Sequence, residues 1–377
     1  MPQVRAWVGM IASVLVGCSE SDNPGSSGQA GSSGAGGAVT TAGSGGSSSG
    51  GGAASAGSSS TGGSAEPPTC TEQQVACNGA CLEVGASQNG CTVLARQQYS
   101  VSDLALDADH VYFSLTGSGK GIHRLARSGG APEPFAPEAS VSDLTLNATH
   151  VLWTSGTAVQ AMPKTGGSVS ELFTDTVDLV DLVASDSRVF VARHPFAMSR
   201  QIVSVDLLGE NRVENGIAGF TNDPVMAVDA THVYWTAITG LEPSELKRST
   251  HTGMEQEVLA TVERTDGLFV AGDKAYFEES DGQTSSFGKL VVTTAGGPLS
   301  VLVEQIKLES DILLGNGQHL FFKDEDTLKS CSLTGQDVQP VLATNGGIVA
   351  AVADDAALYV AVNAEPLGPA YLIQLAP

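Results

Sequence analysis

The sequence is poor in positive charge: Lys and Arg number 18 against 41 Asp and Glu, giving a formal net charge of −23 over 377 residues. A field of that sign repels phosphate backbones, which excludes nucleic acid as a partner class. Aromatic residues are only 5% and charged residues only 16% of the chain. Beyond the N-terminus no apolar run reaches the ~18 residues a membrane-crossing helix needs, so the body contains no such helix. Cysteine is scarce too, with six in all, four of them between positions 70 and 91. What is abundant is Gly, Val, Leu, Ala and Thr, a composition that suits short strands joined by tight turns.

The first segment reads as an address. Residues 1–5 carry one positive side chain, Arg5, and Ala6 to Val16 (AWVGMIASVLV) is an apolar run of eleven residues, too short to span a bilayer. Residues 1–17 are therefore predicted to be a signal peptide. The run ends in Leu15-Val16-Gly17-Cys18, which resembles the lipobox of bacterial lipoproteins. That resemblance implies lipidation of Cys18, and Ser19, where an Asp would retain the protein at the inner membrane, implies an outer-membrane destination. Apolar chains added there bury in the bilayer, and more than one gives lasting anchorage. The membrane is thus expected to be contacted through the lipid anchor alone.

Residues 18–69 follow, and from position 19 they are almost wholly Gly, Ser, Ala and Thr, with Glu20, Asp22 and Glu66 as the charges. Such a segment buries too little apolar surface to offset chain entropy and is expected to be a disordered linker. As a flexible chain of about 50 residues it has a reach of roughly 40 Å. A small Cys-rich module, 70–91, comes next, with Cys70, Cys77, Cys81 and Cys91 spaced Cys-x6-Cys-x3-Cys-x9-Cys. In an exported chain this predicts two disulfides, and three pairings are open. Zinc is the rival, but no Cys-x2-Cys knuckle is present and no His lies between. The piece CNGACLEVGASQNGC is similar to small Cys-rich modules placed between linkers and domains in secreted bacterial proteins.

From Cys91 to Pro377 one phrase recurs seven times. It is VSDLALDADHVYFS at Val101, VSDLTLNATHVLWT at Val141, LVDLVASDSRVFVA at Leu179, DPVMAVDATHVYWT at Asp223, TDGLFVAGDKAYFE at Thr265, ESDILLGNGQHLFF at Glu309 and GIVAAVADDAALYV at Gly347. One column carries His110, His150, Arg188, His232, Lys274, His319 and Ala357, at intervals of 40, 38, 44, 42, 45 and 38 residues. Each phrase reads as strand, Asp/Asn/Gly turn, strand, and a third and a short fourth strand follow in most copies. Four strands per repeat of about 41 residues is the pattern of a propeller blade. The last repeat lacks a fourth strand, while a lone strand, Cys91 to Ala95, precedes the first. The two together complete blade seven. The predicted fold is all-β, a seven-bladed β-propeller of four-stranded blades closed by an N-terminal strand. The body, 287 residues, resembles bacterial seven-bladed propellers of the broad YVTN, NHL and TolB-like type; no Trp-Asp dipeptide ends its blades.

Candidate chemistry is thin. Asp103, Asp143 and Asp181 align at the start of the innermost strand, with Asp223, Asp266 and Asp311 one or two places earlier. Carboxylates at a channel mouth suit a hard cation such as calcium, but Asp at such a position also accepts backbone N–H bonds at its own turn, and that second role is the expectation. The His column is assigned to turns, because a ring of blades holds those imidazoles too far apart to share an ion. Thr116 to Gly121 (TGSGKG) fails as a phosphate loop and reads as a hairpin turn. His123, His194 and His251 have no nucleophile beside them in sequence. Cys331 is expected to be a buried thiol, and Glu278 to Gly282 and Asp324 to Asp326 to be solvated acidic turns. The functional expectation is a non-enzymatic binding or scaffolding module in the cell envelope, with an envelope protein or surface ligand as partner. The alternatives are a calcium-dependent hydrolase or lyase at the channel mouth, and a structural subunit of an envelope assembly.

Overall fold

The computed structural model describes residues 67–194, 199–219, 224–237, 243–280, 286–307, 312–364 and 368–376. The signal peptide, Cys18, the linker up to residue 66, Asp223 and Asp311 lie outside the described residues.

The described residues form seven antiparallel blade sheets, one per repeat, and a separate two-stranded hairpin. Blade 1 comprises Val101–Leu106, His110–Leu115, Gly121–Ala126 and Glu133–Ala136, laid side by side from the inside outward. Blades 2 to 6 repeat this order, with inner strands Leu144–Leu146, Asp178–Ala184, Met226–Val228, Thr265–Ala271 and Leu313–Gly315. Blade 7 comprises Gly347–Ala353, Leu358–Asn363 and Ala370–Leu375, and its fourth strand is Cys91–Gln97 from the other end of the chain. The closing ladder runs from Leu375 opposite Cys91 to Ala370 opposite Gln97. Each inner strand contacts those of both neighbouring blades, and that of blade 7 contacts that of blade 1. The ring is a closed seven-bladed propeller.

Because each blade is sandwiched between two others, the second strand is buried on both faces and carries a run of three consecutive apolar residues, VYF in HVYFSL or VLW in HVLWTS, followed by a buried hydroxyl. It carries most of the largest fully buried side chains: Tyr112, Phe113, Trp153, Phe190, Trp235, Tyr276, Phe277 and Phe322. Burying each contributes about 1.5–3 kcal/mol. The indole N–H groups of Trp153 and Trp235 donate to Gln160 Oε1 (2.9 Å) and the Ile217 carbonyl (3.2 Å), so neither burial strands a donor. The core is divided among the seams between blades. Tyr112, Leu144 and Trp153 join blades 1 and 2, for example, and Phe190, Met226 and Trp235 join blades 3 and 4.

One turn recurs between first and second strands. Asp107 Oδ1 accepts the N–H groups of Asp109 (2.9 Å) and His110 (2.8 Å), and Asn147 Oδ1 those of Thr149 (2.9 Å) and His150 (2.8 Å). Ser185, Asp229, Asn316 and Asp354 do the same in blades 3, 4, 6 and 7. Blade 5 uses Gly272 at φ +62° instead. A short polar side chain that caps its own turn is why Asp, Asn and Ser recur three places before the His column.

The Cys-rich module is built into the seam between blades 6 and 7. Its hairpin pairs Val75–Cys77 with Ala80–Leu82, and its disulfides are Cys70–Cys81 and Cys77–Cys91. Asn78, at φ +48° in the hairpin turn, donates from Nδ2 to the Val341 carbonyl (2.9 Å) and accepts on Oδ1 from the Ala343 N–H (3.0 Å). The backbone N–H of Asn78 donates to the Ala343 carbonyl (3.1 Å), and that of Ala76 to Asn345 Oδ1 (3.0 Å). Tyr371 of blade 7 donates its hydroxyl to the Glu72 carbonyl (2.9 Å). Val75, Cys77 and Leu82 share one core with Phe321 and Leu342 of blade 6 and Leu358 and Ile373 of blade 7.

Candidate functional site

The inner strands begin at one mouth of the ring, and there the acidic column separates into different environments. Asp103 of blade 1 bridges to blade 2: its Oδ1 accepts the Leu104 N–H (2.8 Å) and its Oδ2 the Leu144 N–H (2.8 Å). The residue is half-buried, but its carboxyl group is surrounded by protein. That burial pushes its pKa up to about 7, opposed by the Leu144 N–H, reinforced by the like charge of Asp143 and opposed again by the Leu104 N–H. Asp143 is held by Thr154, whose hydroxyl donates to Asp143 Oδ2 (2.7 Å) and accepts the Asp143 N–H (3.1 Å).

Asp181 departs from the predicted equivalence. It is the extra residue of a β-bulge between Val180 and Leu182, at φ +50°, whereas Asp103 is paired with Ser114. A bulge leaves one residue unpaired and bends the strand, so the aligned position no longer means the same direction. Asp266 sits in a further irregularity between Thr265 and Leu268 and is ion-paired with Arg264 at 2.8 Å. Among the described residues no three His, Cys, Asp or Glu side chains gather as ligands for a metal ion. Two backbone N–H groups already occupy the oxygens of Asp103, one from the adjacent Leu104 and one from Leu144 of the neighbouring blade.

Beside the acidic column runs a hydroxyl column on the second strands. Ser114 shares a hydrogen bond with Ser102 (2.8 Å), Thr154 holds Asp143, and Thr236 accepts the Val225 N–H (3.0 Å); all three are fully buried. Blade 5 has Glu278 at this place. The sequence reading assigned Glu278 to a solvated turn, and the structure corrects it: Glu278 and Glu279 end the strand Lys274–Ser280 and are 0% and 6% exposed. Gly267 opens the room that this longer side chain takes, since a Cβ there would lie 3.2 Å from Glu278 Oε2 and 2.7 Å from Leu313 Cβ. The signal was present in the aligned phrases, where Glu278 falls under Ser114, Thr154 and Thr236.

Inside the mouth the side chains that line the bore are mostly apolar, while the strand edges bring backbone polar groups to its surface. A cavity of about 310 Å³ is lined by Leu104, Ala105 and Leu106 of blade 1, Leu144, Thr145 and Leu146 of blade 2, and Phe269, Leu314, Gly315 and Ala351 to Ala353 of blades 5, 6 and 7. Thr145 supplies its one polar side chain. At the far mouth stand the capped turns, where Asp107 is paired with Lys164 (3.5 Å) and Asp354 with Arg127 (2.6 Å). A separate open cleft of about 490 Å³ lies outside the ring, between Ser87, Gln88, Thr92, Ala356 and Gln374.

The remaining sequence candidates do not converge. The imidazoles of His150 and His232 bond the hydroxyls of Thr149 (2.8 Å) and Thr231 (2.7 Å) within their own turns. His123 stacks on Phe113 and His251 packs on Phe190, in different blades, and burial lowers the pKa of both. Cys331 is buried, and that burial raises its thiol to about 11, away from the reactive thiolate. Gly117–Gly119 form one short helical turn between two paired strands, as expected of a hairpin connection.

No family model matches the chain, and no curated protein matches it in sequence. Among solved structures it is similar to the acylaminoacyl peptidase of Pyrococcus horikoshii, at 10% identity over 74% of this chain and 52% of that one, with a TM-score of 0.55. It is also similar to the β-propeller domain of the trilobed protease from Pyrococcus furiosus, at 9% identity over 74% of this chain and 96% of that one, with a TM-score of 0.55. The chain thus spans about half the length of the acylaminoacyl peptidase it matches. At such identities the likeness shows the propeller fold alone. The protease propeller is described as having an open velcro topology, whereas here the terminal strand Cys91–Gln97 closes the ring.

Proposed function

We propose that this protein is a lipid-anchored propeller of the cell envelope, a binding or scaffolding module held off the outer membrane by its Gly/Ser linker. The observation that carries this reading is the order of parts: an apolar run ending at Leu15-Val16-Gly17-Cys18, a low-complexity linker, and then a disulfide-stapled rigid ring. Disulfides in so small a module belong to an oxidising compartment. A closed propeller presents two faces of loops on a stiff core, which suits a platform for an envelope protein or surface ligand. Its repeats of about 41 residues resemble those of the broad YVTN, NHL and TolB-like type of propeller, and no Trp-Asp dipeptide ends them to name a subfamily. The peptidase activity of the similar proteins is not carried over, because fold alone does not transfer chemistry.

Expression of the full chain in a diderm bacterium with radiolabelled palmitate tests the reading. The label should enter the wild type and not Cys18→Ala, and Ser19→Asp should move the protein from outer to inner membrane. In-cell cross-linking of the anchored protein should then give one stoichiometric envelope partner. Palmitate-free wild type would sink the anchor, and a protein with no partner at native abundance would sink the scaffold.

A further inference from the structure

The rim of the far mouth carries an arc of exposed apolar side chains. The turn between third and fourth strands lies on that face, because the backbone N–H groups of Lys164 and His251 donate to the Thr149 and Thr231 carbonyls of the first turns (2.9 and 3.1 Å). In five successive blades this turn holds one large apolar residue in water: Val169, Leu208, Met254, Leu299 and Val338 in blades 2 to 6. Leu208 and Met254 protrude furthest, at 80% and 67% exposed. Eleven large apolar side chains are exposed among the described residues, and singly scattered ones would not recur at one place in five blades. Val258 and Val301, second residues of the fourth strands Glu257–Val262 and Ser300–Lys307, widen the arc in blades 4 and 5. Blade 1 has RSGGAP at this place, and blade 7 pairs Leu375 with Cys91 and has no such turn, so the arc ends there.

The arc is held rigidly. Asp206 Oδ1 accepts the Leu208 N–H (3.0 Å) and Thr250 Oγ1 the Met254 N–H (3.2 Å). A Cβ at Gly209 would overlap the Leu172 carbonyl, and one at Gly253 would lie 2.6 Å from Val213 Cγ1, so each turn is seated on the fourth strand of the preceding blade. None of the five apolar residues lines the bore or the cleft beside blade 7.

We infer that this arc rests on the surface of a zwitterionic lipid bilayer, the membrane to which the chain is anchored. Side chains set one per blade around a rim define a plane and not a groove, which suits the boundary between headgroups and acyl chains. Charge disfavours a second copy and anionic lipid. Inside the arc the first turns expose Asp109, Asp186, Asp273 and Asp355, with Lys274 as the exposed base among them, so both would oppose like charges. Ethanolamine and choline headgroups end in ammonium groups, which those carboxylates attract. The linker supplies the reach: residues 19–66 extend roughly 40 Å as a flexible chain, enough for this face to fold back onto the bilayer. The inference rests on the anchor for which surface lies within reach, and it adds a contact by the ring to the one made by the lipid.

The test is flotation of the chain from residue 18 onward with Cys18→Ser, which carries no lipid, on vesicles of phosphatidylethanolamine and phosphatidylcholine. Wild type should float with the vesicles, and replacing part of the phosphatidylcholine by phosphatidylglycerol should weaken binding. Leu208→Asp with Met254→Asp should lower the affinity for lipid roughly tenfold, at exposed sites where a substitution leaves the fold intact. Phe287→Asp, at the exposed start of a third strand on the opposite face, should change it by less than about twofold. Four results would each overturn the inference: no flotation at millimolar lipid, whether or not a protein cross-links to the arc in cells; affinity that rises with phosphatidylglycerol; equal weakening by Phe287→Asp; or a dimer in solution that the paired Asp variant dissociates. Palmitate-free wild type whose unlipidated form floats would remove the anchor and keep this face. Palmitate-labelled wild type whose unlipidated form does not float would remove this face and keep the anchor.

Discussion

Removing the Cys77–Cys91 crosslink, as Cys77→Ala with Cys91→Ala, measures what the module does for the ring. The two disulfides close loops of similar length, with sequence separations of 14 and 11. Chain entropy alone therefore assigns each about 3 kcal/mol and makes them differ by only ~0.2 kcal/mol. Their places differ far more. Cys70–Cys81 ties the module to itself, whereas Cys77–Cys91 ties it to the first residue of the closing strand. Loss of Cys77–Cys91 also frees the module's grip on blade 6 through Asn78, whose bonds to Val341 and Ala343 are each worth about 1 kcal/mol. The expected loss is about 4–5 kcal/mol for the Cys77/Cys91 pair and about 3 kcal/mol for the Cys70/Cys81 pair. Urea unfolding of both double variants, followed by tryptophan fluorescence from Trp153 and Trp235 in the blades, reads the difference. Equal losses within about 0.5 kcal/mol would refute the claim that the module staples the ring, leaving only local loop entropy.

Asp103 has its pKa raised in the folded ring, so the folded state holds a proton that the unfolded chain has already lost above the usual carboxylate range. Its contribution is fully present below pH ~4 and is lost as pH rises through about 7. Thermal melts at pH 5 and pH 8 should show a smaller decline with pH in Asp103→Asn than in the wild type, and an unchanged decline would contradict this. Thr154→Val keeps the shape but removes both bonds to Asp143, with an expected loss of about 1–3 kcal/mol in denaturant unfolding. Asn147→Ala removes two turn bonds and should cost about 1–2 kcal/mol, while His150→Ala, one place past that turn, should stay within about 0.5 kcal/mol. A reversed order between those two variants would reassign the turn to the imidazole.

The ring was legible in the sequence because each blade repeats the same local physics. A turn of set form, a second strand with an apolar centre and a period near 41 residues recur, and the missing fourth strand of the last repeat matched the lone strand at Cys91. The bulges were not legible. One inserted residue leaves the apolar pattern almost unchanged, so Asp181 aligns with Asp103 in sequence while its backbone sits at φ +50° outside the ladder. Glu278 was misplaced for a related reason. A charged residue near a strand end reads as solvated, and only the hydroxyl column beside it shows that the position is buried. The disulfide pairing was left among three choices, because spacing does not say which residues the seam between blades 6 and 7 brings together.

The apolar bore escaped the sequence for a deeper reason. In a propeller, side chains of the inner strand point toward neighbouring blades and the channel lies along the strand edge, so the same apolar residue serves a blade seam and the bore wall. Leu106 and Val352 pack into the core between blades 7 and 1 and also line the cavity; Leu146 does so between blades 1 and 2, and Phe269 between blades 5 and 6. A pattern of apolar residues reports that a position is out of water, not which of those two spaces it faces. Polar residues carry more information, since each needs partners: the acids and hydroxyls gather at the start of the inner strands and the capping residues at their ends, leaving the stretch between them apolar. The closed ring turns that one-dimensional order into a passage with mostly apolar side chains, edged by strand backbone, between two polar rims.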